Sequence, residues 1–152
     1  MKKAKIILTL LVFSFLLPAM AMAGEMQEGM KIREVFRRYG NRKNVVMVEM
    51  SKEMLDTYNI SFYKSIMIKD DPGALKFVRE CLAVDQHDAH KIKEVTDDGG
   101  VISAYYQIPV KEKTNRFILF IVNQKGVITL IYIEGELDSD DPITILFTKK
   151  DL

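Results

Sequence analysis

Apolar residues recur along this chain first with a helical period and then with that of strands. Between Met26 and Arg42 the positions Ile32, Val35, Phe36 and Tyr39 follow the i, i+3, i+4, i+7 spacing of one helical face. This predicts an amphipathic helix stopped at Gly40. Arg37, Arg38, Arg42 and Lys43 gather where the negative end of the helix dipole favours cations. "NVVMVEMS" then reads as a strand, Ser51 as the cap of a short helix "KEMLDTY", and "SIMIK" as a second strand. Asp70-Asp71-Pro72 opens a longer helix, because an aspartate can accept from free amides and a proline needs none of its own.

Four strand-like runs follow, "KIKEV", "VISAYYQI", "RFILFIV" and "VITLIYI". "DDGG" at Asp97 to Gly100 is a hairpin signal, and "NQKG" at Asn123 to Gly126 is a second one. "FILFIV" and "VITLIYI" are almost wholly apolar, so they belong centrally in the sheet or with both faces covered. "VISAYYQI" alternates, with Ile102, Ala104, Tyr106 and Ile108 on one side. Asp141-Pro142 resembles one more helix start. The order predicts a single α+β domain over residues 24–152, with a mainly antiparallel sheet of about five to six strands and helices packed on one face.

The amino terminus changes the picture of composition. Lys2, Lys3 and Lys5 precede an apolar run from Ile6 to Leu17, then Pro18 and the small-residue pattern Ala21-Met22-Ala23. That is the layout of a secretory signal peptide over residues 1–23, and the run is too short for a transmembrane helix. Removing it takes three lysines away and turns the formal charge of the 152-residue chain from +1 to −2. A nucleic-acid role for "RRYGNRK" is therefore disfavoured. The single cysteine, Cys81, excludes an internal disulfide. Periplasm or cell surface of a Gram-negative bacterium is the expected location, with no membrane span after cleavage.

The most chemical-looking stretch is "DQHDAH", Asp85 to His90, which holds both histidines. Winding the helix from Pro72 places Ala74, Leu75, Val78, Cys81, Leu82 and Ala89 on an apolar face, and Asp85 near the middle of it. His87 and His90 fall on the opposite, charged face. The helix is thus expected to end or bend near Val84 to Asp85. Two imidazoles without a third are short of a zinc set, which leaves His87 and His90 as weak metal candidates and, with Asp85 or Asp88, as a remote acid–base pair. Cys81 reads as a small buried apolar residue rather than a nucleophile. "EGELDSDD", Glu134 to Asp141, is rich in carboxylates but fails the spacing of a calcium loop.

Methionines and aromatics around the short second helix, Met47, Met50, Met54, Tyr58 and Phe62, are the candidate lining for a small apolar ligand, with core filling as the alternative use. Nucleotide-binding, hydrolase and paired-cysteine motifs are absent, no cofactor is implied, and the balance points away from an enzyme.

Several of these features occur together in a known group. The signal peptide, the "MVEMSKEML" passage, "SIMIK", the "KEVTDDGGVISAYYQ" hairpin and "FILFIVNQKGVITLIYIEGELD" resemble the exported Bacteroides-type proteins called domain of unknown function 4252, or the similar group 6108. The resemblance implies this α+β fold and an envelope setting, and carries no catalytic residues. The expected role is a non-enzymatic exported domain that binds a protein or envelope component.

Overall fold

A computed structural model describes residues 29–109 and 113–142. Helix α1, Arg33–Tyr39, buries Val35, Phe36 and Tyr39 at the anticipated spacing and ends at Gly40. Strand β1, Val45–Glu49, leads to helix α2, Lys52–Thr57, where the Ser51 hydroxyl accepts from the Met54 amide at 3.4 Å. Asn59, with a φ of 57°, turns the chain out of α2 into β2, Ile60–Ile68. Helix α3 runs Pro72–Asp85. The Asp71 carboxylate accepts from the Ala74 amide at 2.9 Å, and Pro72 occupies the first turn, as the sequence predicts.

After a 3-10 turn at Gln86–Asp88 come β3, His90–Asp97, β4, Gly100–Pro109, β5, Asn115–Val122, and β6, Ile128–Gly135. The Asp97–Gly100 turn joins β3 to β4. In the second hairpin the Asn123 carboxamide oxygen accepts from the amides of Lys125 and Val127, both at 3.0 Å, and Gly126 takes the positive φ that closes the turn. The six strands form one antiparallel sheet in the order β1-β2-β6-β5-β4-β3. The two most apolar runs, β5 and β6, are central, as their composition requires.

α1 and α3 cover the first face. Ile32, Val35, Phe36, Tyr39, Ala74, Val78, Cys81 and Leu82 pack there against Ile66, Ile68, Tyr106, Ile118, Phe120, Leu130 and Tyr132. A smaller cluster of Ile60, Tyr63, Tyr105, Phe117, Ile133 and Leu137 lies on the second face. Leu55 and Tyr58 of the short α2 pack against this second cluster, so the one-face arrangement holds for the two larger contributors of core, α1 and α3. The chain after β6 closes over the same end, where the Tyr105 hydroxyl donates to the Ser139 carbonyl and the Asn115 side chain donates to that of Leu137 at 3.0 Å. Asp141 begins a helical turn, and the remainder of the expected last helix lies outside the described residues, as do the signal peptide and residues 26–28 of the first predicted helix.

Candidate functional site

The stretch that looked chemical is divided by the fold. α3 keeps regular winding through Asp85, so Ala74, Val78, Cys81, Leu82 and Asp85 all face inward. Asp85 is buried on that apolar face because it has a structural task. One carboxylate oxygen accepts from the Lys31 amide at 2.7 Å and the other from the Ile32 amide at 2.8 Å. These are free donors at the start of α1, whose own cap residue, Ile32, has no side chain able to accept them. Asp85 therefore caps a helix more than 50 positions away in sequence and ties α1 to α3. Burial still holds its carboxyl above the ordinary range, and the two amide bonds offset only part of that.

The expectation that the helix ends near Asp85 is met. The core stripe nevertheless continues through the carboxylate, because these two bonds satisfy it there. One turn back, Cys81 is buried and free. Desolvation, with Asp85 adding to it, pushes its thiol up to about 11, which keeps it protonated and unreactive at neutral pH.

His87 sits exposed in the 3-10 turn, and His90 starts β3, also exposed, opposite Gln107. Asp88 is exposed beside them. Asp85 is directed away into its capping role, with both carboxylate oxygens taken by the Lys31 and Ile32 amides, and does not serve as the partner of either histidine. Among the described residues no three histidine, cysteine, aspartate or glutamate side chains come together as a metal set. The acidic run that starts in β6 at Glu134 and continues beyond the strand is likewise divided among separate tasks. Glu134 is buried and accepts from the Tyr132 hydroxyl at 2.9 Å, while the Asp141 carboxylate accepts from the Asp138 amide at 2.7 Å.

The five candidate ligand residues do not converge on one pocket. Met47 and Phe62 pack with the first-face core, Phe62 edge-on to Tyr132 at 5.8 Å. Met50 and Tyr58 pack with the second-face cluster, and Met54 is half-buried on α2. An open groove beside α3 is lined in part by Leu75, Lys76, Arg79 and Glu80, but its arginine is occupied, donating through Nε to the Val101 carbonyl and through Nη1 to that of Gly99.

The surface feature that sequence reading missed lies at the other end of the second face. Strand register aligns Val46, Met67, Thr129, Ile121, Ser103 and Val95 in one row across all six strands. At a strand spacing of about 4.8 Å the row is about 24 Å wide. Val46 is 54% exposed, Ile121 52%, and Met67 and Val95 38% each. The row holds no charged side chain. Val48, 42% exposed, extends it into the next row, where Ser65, Ile131, Leu119 and Tyr105 follow and Lys93 supplies the only charge at the far rim. The apolar content of "VVMVE" and "FILFIV" was the available signal. What it lacked was the register, which comes only from pairing.

Comparison with known proteins adds one identification. The model of a family of unknown function (DUF6108) matches residues 19–146, and the chain belongs to that family. Of the two groups that the sequence resembles, the match is to 6108. No curated protein and no solved structure matches the chain.

Proposed function

We propose that this is an exported, non-enzymatic domain of the cell envelope that binds another protein through the open end of its second sheet face. The observation that carries the reading is the uncharged row from Val46 to Val95. Four exposed aliphatic side chains in one uncharged row, with only Thr129 and Ser103 between them, are costly to leave in water, and such a surface is a common mark of protein binding. The signal-like first 23 residues support export, and the Bacteroides-type resemblance supports a Gram-negative envelope as the setting. The occupied Asp85 and the buried Cys81 support a role without covalent or acid–base chemistry.

Ile121, at the middle of the row and half-exposed, is the position that tests it. Pull-downs from envelope extracts compare the unmodified protein with Ile121→Asp, both checked for folding by circular dichroism. A reproducible protein partner held by the first and lost by the second is the expected result. Equal recovery by both, or none by either under mild crosslinking, overturns the proposal.

A further inference from the structure

The two edges of the sheet are built differently. β3 carries Lys91 and Lys93 and is offset from β4 by two register shifts, devices that discourage another strand from adding to an edge. β1 has none of these. Val45-Val46-Met47-Val48-Glu49 pairs with β2 in unbroken register, without a lysine, a proline or a bulge.

The ladder decides which backbone groups β1 turns outward. The Lys69 amide donates to the Asn44 carbonyl at 3.1 Å, one step beyond the Val45–Ile68 pair. By alternation Val46 and Val48 point their amides and carbonyls at β2, and Val45, Met47 and Glu49 point theirs away from it. The Val45 amide is taken up by the Arg42 carbonyl at 3.2 Å. The Met47 and Glu49 amides and the Val45 carbonyl face no other strand among the described residues.

We infer that β1 is a self-pairing edge, through which two copies of this chain join antiparallel about a two-fold axis at Met47 to make one continuous sheet. In that register the Met47 residues of the two copies exchange amide-to-carbonyl bonds, and each Glu49 amide donates to the Val45 carbonyl of the other copy. Nothing is asked of the Val45 amide, which is already used. Val46 of one copy lies opposite Val48 of the other, so the apolar row continues across the junction. On the helical face Met47 meets Met47 and Val45 meets Glu49, and no like charges are opposed. The contact is isologous and the outer edges are the lysine-guarded β3 strands, so assembly stops at two copies.

This inference goes beyond the binding role above, and the test separates the two. Sedimentation equilibrium of the protein up to about 1 mM, where even a weak pair is half formed, reads the mass directly. The expected result is a rise toward twice the monomer mass. Glu49→Pro deletes one outward amide, sits where proline is tolerated at an edge, and changes an exposed side chain whose contact is a 3.6 Å pair with Lys64. It should stay monomeric while keeping the dilute-solution circular dichroism of the unmodified protein. Should that proline unfold the chain, Val48→Lys places an edge guard on an exposed position and is expected to give the same loss of association. Ile121→Asp, three strands away from the edge, should self-associate normally whatever it does to partner binding. An unmodified protein that stays monomeric throughout overturns the inference. So do a folded edge variant that still associates and an Ile121→Asp variant that cannot.

Discussion

Asp85 shows how one side chain can look catalytic and be architectural. Its carboxylate has both oxygens engaged by main-chain amides, so truncation removes the acceptors of two donors at once. Asp85→Ala is expected to lower unfolding free energy by about 2–4 kcal/mol, since each buried amide left without a partner costs about 1–3 kcal/mol and relief of the carboxylate's own desolvation returns some of it. Asp85→Asn keeps one acceptor oxygen and should lose less; urea unfolding of the three proteins orders them. The pH dependence has a definite sign. Burial raises this carboxyl above its unfolded value, so the native state keeps the proton longer as pH rises. Its contribution therefore favours the fold most at low pH and declines from about pH 4 upward through the raised value. The stability gap between the unmodified protein and Asp85→Asn should narrow across that window. Cys81, beside it, should resist a thiol reagent at pH 7 until the protein is unfolded, and rapid native labelling would contradict its burial.

Elements whose signals are local were readable, and those determined by distant residues were not. The start of α3 needed only Asp71 and Pro72, and Asp71→Ala should cost about 1 kcal/mol in thermal or urea unfolding through loss of that cap. The two hairpins announced themselves through Asp97–Gly100 and Asn123–Gly126. By contrast α1 begins at Arg33 because of a carboxylate far along the chain, a dependence that no local pattern around Met26 to Ile32 carries. β2 begins at Ile60, earlier than "SIMIK" suggests, because "ISFY" is interrupted by a register shift between Ile60 and Phe62 that breaks simple alternation. The candidate ligand residues are grouped by proximity in sequence, but strand parity sends Met47 and Phe62 to the first face, while Met50 and Tyr58, on either side of α2, pack with the second. Close backbone approach also escaped notice. A Cβ on Gly135 would collide with the Asn59 carbonyl oxygen, where the chain leaves α2, and that oxygen also accepts from the Glu136 amide at 3.2 Å. Gly135→Ala should lower the unfolding free energy, read by urea unfolding, by more than the roughly 0.5 kcal/mol of an ordinary surface change.

For the molecule as a whole, the sheet order places the most protected and the most vulnerable backbone at predictable positions. β5 and β6 are paired on both sides, and their first-face residues Ile118, Phe120, Leu130 and Tyr132 are almost wholly buried beneath α1 and α3. Their amides should exchange with deuterium only when the whole domain opens. β3 is an edge with mostly exposed side chains and two register shifts, so its outward amides should exchange through local fraying at far lower free energy. β1 is the informative strand, because its amides divide by direction. Those of Val46 and Val48 point at β2 and should be protected at any concentration. The outward amides of Met47 and Glu49 should exchange quickly in dilute protein and slow as concentration rises, because only a second copy supplies their acceptors. Outward groups of β3 provide the internal control and should show no such dependence. Residue-resolved exchange at two concentrations thus reads the fold's central layer and its one unguarded edge in a single measurement. Protection of Met47 and Glu49 that is already complete in dilute monomer would mean that another acceptor serves this edge.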